Sequence, residues 1–498
     1  MDKRIKNSKI HQRECGIVRN LSSMERVFLK FVSNNNAIPI SIVRFEHRFN
    51  NELFKKAISV VSNHNELLRS CISKINGEDC INYTNHTSVR YEYRESDIPI
   101  LHTGIDISDI SGKDSFILSI ILNNQSKCSD VATCFNHVLF DGVSFDYLMN
   151  DIYKTYISLA DNKVPTISEK QINLKQIQIN DLNISNKLIT EYFFNSMQRS
   201  YNIYIKTLDI YSQINIDNFV QYLKNFYHEI INYLYSVKIL EGDSSSMKIL
   251  CDDYLDLFKD YQVNNFDKLK FLRSNSDCNK KTFLTTISFS RELTSILLKN
   301  IETNDITLFS YICSLLSNIL HKNYSTYKTQ NIQIQTYLNL RYLKHFDYSW
   351  KPQGLLILPL LFNTTCSDNS YLWEQGKEIF EYLSNITKIA NPSTINEIHR
   401  NMNILSNLFY KNYLDFTKFD SKYLDIMVNN LGVIRQYESL KINQVDHIIH
   451  NETDLIPKLL LYFYILKGEL YISLSSAYIH KSNHDFIIEN LKNQIQNI

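Results

Sequence analysis

The chain has 498 residues, 44% of them hydrophobic and 21% charged, with 53 basic residues against 52 acidic ones and a formal net charge of +1. That length suits two domains, and so even a balance excludes the basic footprint of a nucleic-acid binder and an acidic tail. Nine cysteines without a C-x-x-C pair read as reduced, mostly buried thiols of an intracellular protein.

The polar opening MDKRIKNSKIHQREC has no apolar stretch, and the longest apolar runs, such as residues 355–362, are too short to cross a bilayer. A soluble protein is expected, with peripheral membrane contact left open. Residues 51–63 carry apolar side chains at helical spacing. Residues 116–122 and 131–137 are β-rich, and the polar stretch 123–130 between them reads as a turn. After Gly142, the residues Phe145, Leu148, Met149, Ile152, Tyr153 and Tyr156 recur at helical spacing.

Residues 166–275 are polar and rich in Asn and Tyr, with two helical patterns at 186–208 and 217–239. They read as a connecting or inserted helical segment. From residue 282 the alternation resumes. Strands are expected at 285–289, 332–340, 354–362 and 423–428, helices at 291–300, 307–320, 371–390 and 394–410, a hairpin at 459–466 and 470–476, and a closing helix at 485–495. The layout is α/β (α+β): a first half at 1–165, the segment at 166–275 and a second half at 276–498.

The stretch FNHVLFDGVS, residues 135–144, lies on the expected strand–loop–helix junction. Asp141 falls where a helix N-cap belongs. His137 at the strand end is either a packed residue or a general base, since neutral imidazole is available near pH 7.

The spacing His137-x-x-x-Asp141-Gly142 resembles the active-site motif of the CoA-dependent acyltransferases. That superfamily includes chloramphenicol acetyltransferase, carnitine acyltransferases, plant HxxxD acyltransferases and peptide-synthetase condensation domains. Three further segments extend the resemblance toward the fungal alcohol O-acetyltransferase family, sphingoid-analogue N-acetyltransferases included. Asn429-Asn430-Leu431-Gly432 resembles its (S/N)NLG segment. Asn339-Leu340-Arg341 resembles the N-x-R segment whose arginine pairs with the motif aspartate. His64-Asn65-Glu66-Leu67-Leu68-Arg69 resembles H-x-x-L-R with one extra residue. Departures exist. Asn136 stands where many members have a first histidine, Asn429 replaces a common serine, the plant DFGWG motif is absent, and 166–275 is poorly covered.

The resemblance implies two chloramphenicol-acetyltransferase-like domains, with mixed sheets flanked by helices and an active-site tunnel between them. It implies acetyl-CoA as acyl donor, no metal, and transfer of an acetyl or short acyl group to an alcohol. His137 would be the general base, Arg341 would pair with Asp141, and Gly142 would keep the loop narrow. Asn429 or Asn430 would donate to the oxyanion; the plainer reading makes them a strand end before a turn at Gly432.

A long-chain amine is the second acceptor class. The other readings are a non-catalytic small-molecule binder and a peripheral membrane or lipid-droplet protein. The expected protein is a monomer that binds no nucleic acid. It is cytoplasmic, with peripheral contact at the endoplasmic reticulum or lipid droplets allowed. Set aside are His447 and His450, whose spacing would suit a metal on a helix but lacks a third ligand. His480 and His484 flank an expected loop, and His64 is expected to pack or to cap a helix end. The terminal helix could touch lipid or cap its domain.

Overall fold

The structure, a computed structural model, describes residues 17–21, 38–75, 77–84, 86–100, 117–165, 282–324, 331–339, 357–365, 372–389, 426–434, 439–450, 459–477 and 481–498, and a few isolated positions. The expected helices at 186–208, 217–239 and 394–410 lie almost wholly outside these residues.

The first half runs β1 (Ile17–Asn20), β2 (Ile38–Phe45), α1 (Asn51–His64), β3 (Ser70–Ile75), β4 (Glu78–Tyr83), β5 (Val89–Glu95), β6 (Leu118–Asn124), β7 (Ser129–Phe135) and α2 (Gly142–Ala160). Helix α1 starts where Asn50 accepts the Leu53 N–H at 3.1 Å, the side-chain cap that frees donors of a first turn need. It buries Phe54, Ala57, Ile58 and Val61, the spacing of one helical face. His64 closes it, with Nδ1 2.8 Å from the Val60 carbonyl. Strands β6 and β7 are buried along their whole length.

The second half runs β8 (Thr282–Phe289), α3 (Arg291–Thr303), α4 (Leu308–Tyr324), β9 (Asn331–Asn339), β10 (Ile357–Thr365), α5 (Leu372–Ile389), β11 (Ile426–Val433), β12 (Ile442–His450), β13 (Leu459–Leu466), β14 (Glu469–Ala477) and α6 (Lys481–Gln496). Six strands form a mixed sheet in the order β10-β9-β11-β13-β14-β8, in which β11 runs parallel to both neighbours. Helix α4 is buried on every side from Tyr311 to Leu320, with Ser314 and Ser317 hydrogen-bonded inside. Helix α6 buries Ile487, Leu491 and Ile495 in the same core, so it caps the sheet.

A five-stranded sheet has the order β12-β2-β7-β6-β5. Its edge strand comes from the second half. β12 pairs antiparallel with β2, Ile442 opposite Phe45 and His450 opposite Ile38. Further bonds tie this edge strand to the second half's own sheet, and a last one joins the two halves directly. Thr286 donates to Asp446 at 2.6 Å, the Val445 N–H donates to the Tyr464 hydroxyl at 3.0 Å, and Lys467 pairs with Glu46 at 2.6 Å. Tyr464 and Leu466 bury in the first half's core.

Two readings on histidines meet the structure, and the second is corrected. His447 and His450 lie on a strand, not a helix, so their three-residue spacing puts them on opposite faces. His484 is inside α6, 1% exposed. Its ring nitrogens meet the Ser476 and Thr285 hydroxyls at 2.7 and 2.9 Å. Of the cysteines, Cys80, Cys134 and Cys313 are buried, Cys71 and Cys128 half-buried, and all five are free. Among the described residues no helix is long and apolar enough to cross a membrane.

Candidate active site

Strand β7 ends at Phe135, so His137 sits in the loop that follows rather than on the strand itself. The loop is built by Asn136. Its side chain accepts the Val138 N–H at 2.9 Å, and its carbonyl accepts the N–H groups of Leu139 and Phe140. This is the local turn chemistry that short amide side chains favour, and it gives a physical role to the residue standing where the resembled motif often has a first histidine. Val138, Leu139 and Phe140 are fully buried. The three apolar residues between His137 and Asp141 are therefore pegs that hold the loop against the core.

His137 Nδ1 lies 3.0 Å from the Phe140 carbonyl oxygen. A carbonyl can only accept, so Nδ1 carries the proton, and the neutral ring has its acceptor lone pair on Nε2. Burial lowers the pKa of His137, opposed by backbone hydrogen bonding and the Asp141 charge. The Phe135 ring meets it edge-on at 5.6 Å and stacks on Phe145 at 4.4 Å.

Asp141 is 1% exposed. It caps α2, accepting the Ser144 N–H on Oδ1 at 2.8 Å. Gly142 opens the helix, is exposed, and has no heavy atom within 4 Å of where a Cβ would stand. His137, Asp141 and Gly142 thus share one loop. Arg341, the expected partner of Asp141, lies outside the described residues.

Asn429 and Asn430 are on β11. Asn429 hydrogen-bonds the Tyr462 hydroxyl on the paired strand β13. Asn430 Oδ1 accepts the Gly432 N–H at 2.8 Å, and Gly432 takes φ +73°, a left-handed conformation that favours glycine. Tyr462 also faces His447 at 5.1 Å between ring centroids. Burial pushes His447 down to about 4, which keeps it neutral.

One residue near the motif has no counterpart among the expected site residues. Asp146 lies one turn into α2, and more than a third of its surface is open to solvent. Yet burial, with a smaller contribution from the Asp141 charge, pushes its carboxyl up to about 7. No pattern in the sequence marks it.

No protein-family profile matches the chain, and no curated protein does. Solved structures do. TRI3 trichothecene 15-O-acetyltransferase from Fusarium sporotrichioides superposes with a TM-score of 0.61 at 9% identity, over 96% of this chain and 94% of that one. The fold is shared. The epimerization domain from the third module of tyrocidine synthetase B gives 0.55 at 13% identity, over 97% and 98%. The starter condensation domain of rhizomide synthetase RzmA, a point mutant in complex with C8-CoA, gives 0.53 at 9%, over 96% and 93%. The chain therefore has the two-lobed fold of condensation domains and chloramphenicol-acetyltransferase-like acyltransferases, along nearly its whole length. Within that fold, the loop carrying His137 is the part whose chemistry the described residues define best.

Proposed function

We propose that the chain is an acyltransferase moving an acetyl or short acyl group from acyl-CoA to the hydroxyl of a small acceptor, with His137 as general base. The carrying observation is the hydrogen bond from Nδ1 to the Phe140 carbonyl, which leaves Nε2 as the proton acceptor. Burial keeps the ring neutral at pH 7.

In this reading Nε2 takes the acceptor's proton as its oxygen attacks the thioester carbonyl. The new carbon–oxygen bond forms, the carbon–sulfur bond breaks, and the proton passes from Nε2 to the departing CoA sulfur. No covalent enzyme intermediate is needed. Arg341 pairs with Asp141 and fixes the loop. Asn429 or Asn430 donates to the oxyanion. Residues 1–165 and 276–498 supply the two halves, joined by 166–275. The motif resemblance to fungal alcohol O-acetyltransferases and the fold shared with TRI3 acetyltransferase support the reading, and the structure bound to C8-CoA supports the donor class. An amine acceptor would be served by the same base. The proposed setting is the cytoplasm, as a monomer.

The test is thiol release from acetyl-CoA by the purified chain across a panel of alcohols and amines, beside His137→Ala. Acceptor-dependent release that falls ~10²-fold or more in the variant supports the reading. Equal inertness of both proteins, with CoA binding intact, would replace it with a binding role.

A further inference from the structure

The six-stranded sheet of the second half has two unlike faces. Ile426 and Val428 on β11, with Leu459, Leu461 and Phe463 on β13, bury in the second half's own core. The alternate residues share the other face. That face meets the first half: Tyr464 buries in the first half's core, and Leu431 and Ile434 pack against it. The same core holds Phe135, Val138, Leu139 and Phe140, the residues that fix the His137 loop. Asn429 lies on this face, between Met427 and Leu431. Asn430 is exposed, and its side-chain oxygen is taken up by the Gly432 N–H.

Tyr462 stands opposite Asn429 in the pairing of β11 with β13. It is 9% exposed, and its hydroxyl is hydrogen-bonded to the Asn429 side chain. His447 of β12 lies against its ring. Burial pushes the phenol's pKa up, so the phenol keeps its proton. Tyr337 packs against the same small cluster. Its hydroxyl accepts the Gln335 Nε2 N–H at 3.1 Å, and a hydroxyl that accepts still has its own proton to give. An asparagine amide has two ends: the oxygen only accepts and the nitrogen only donates. A phenol that donates to Oδ1 turns Nδ2 the opposite way and fixes it there. Amide N–H groups held in place beforehand are what a developing oxyanion requires.

We infer that Tyr462 is a positioning residue for acyl transfer: its hydroxyl donates to Asn429 Oδ1, at the end of a run of donors from Gln335 through Tyr337, and so aims Asn429 Nδ2 at the oxyanion. The inference rests on the acyl-transfer reading and chooses Asn429 over Asn430 as the donor. As the acceptor oxygen adds to the thioester carbon, the carbonyl π pair moves onto the carbonyl oxygen, where Nδ2 donates to it. The pair returns as the carbon–sulfur bond breaks. Tyr462 itself touches no reacting atom.

The experiment measures kcat, and KM for acetyl-CoA and for the best acceptor, in the native chain, Tyr462→Phe, Asn429→Ala, Asn429→Asp and the double variant Tyr462→Phe with Asn429→Ala. Tyr462→Phe removes one oxygen and keeps the ring. It is expected to lower kcat about 10-fold with both KM values unchanged, part of the ~10²–10³-fold loss expected for the missing donor in Asn429→Ala. In the Asn429→Ala background it should lower kcat no further, since nothing is left to aim. Asn429→Asp keeps the shape and an acceptor for Tyr462 but has no N–H, so it should lose as much as Asn429→Ala. A merely structural pair predicts the reverse, with native turnover in Asn429→Asp and only a lower melting temperature in Tyr462→Phe. Circular dichroism shows that each variant is folded. A kcat for Tyr462→Phe within about twofold of native, native turnover in Asn429→Asp, or losses that multiply in the double variant overturns the inference and leaves acyl transfer standing. A native chain that transfers to no acceptor overturns the acyl-transfer reading first, and this inference with it.

Discussion

Asp130 sits on β7, five residues before the strand ends and the His137 loop begins, and it is 0% exposed. Its Oδ1 accepts Arg44 Nε at 2.7 Å. Its Oδ2 accepts Arg44 Nη2 at 3.0 Å, the Ile100 N–H at 3.0 Å and Gln125 Nε2 at 2.8 Å. Arg44 lies directly opposite on β2, with a side chain 30% exposed. In Asp130→Asn the amide oxygen takes the side with three donors, so the amide nitrogen faces Arg44 Nε, donor against donor. Breaking a buried pair costs about 3–5 kcal/mol. Arg44 can recover water through its exposed part, so the cost should fall just below that range, about 2–3 kcal/mol. Arg44→Met leaves the fully buried carboxylate without its cation and should cost more, about 3–5 kcal/mol. The double variant should cost less than the two together, because one interaction is removed twice. Urea denaturation followed by circular dichroism measures all three. Costs under about 1 kcal/mol, the range of a surface ion pair, or a larger loss in Asp130→Asn than in Arg44→Met, would refute the reasoning.

Because burial lowers the His137 pKa, kcat/KM should stay level at neutral pH and fall only below the ordinary histidine range near ~6.5; an acid limb centred above it would contradict the assignment. Asp146 binds its proton more tightly in the folded state, so its contribution is present below the usual carboxylate range and is lost as pH rises through about 7. Asp146→Asn should thus match the native melting temperature near pH 4 and exceed it at pH 8, and a pH-independent difference would count against this. Gly142→Val should fold normally, since nothing occupies the Cβ position, but under the proposed function transfer should drop sharply as the side chain fills the open space beside the His137 loop; normal turnover would remove Gly142 from the site. Gly432→Ala should cost about 1 kcal/mol in denaturation because of its φ of +73°, and an unchanged midpoint would dispose of that claim.

The loop carrying His137 is legible in the sequence because its signals are local. Two β-rich runs, an Asp-Gly pair and a helical repeat fall within some forty residues, about the span of one supersecondary unit. The ends of β6 and β7 are harder to place, because Ser129 and Asp130 are polar yet buried and their partners are not in their neighbourhood. Asp130 is satisfied by Arg44, 86 positions away. For the same reason β2 and β12 do not stand out, since each finds its partner across the whole chain. His484 reads as a loop neighbour in the sequence because its bonds to Ser476 and Thr285 come from strands that only the fold brings to α6. Asp146 is invisible for another reason: a sequence shows which groups are charged but not which of them go unpaired.

The pairing of β12 with β2 also sets an order of events on the ribosome. About 400 residues separate the two strands, so at ~5–20 residues per second β2 waits on the order of 20–80 s for its neighbour. During that time the first sheet has an open edge from Ile38 to Phe45, the kind of surface on which a second nascent chain can add a strand. A chain released before Ile442 would keep that edge. Its strands are among the first to be made, and the sheet is among the last parts to be finished.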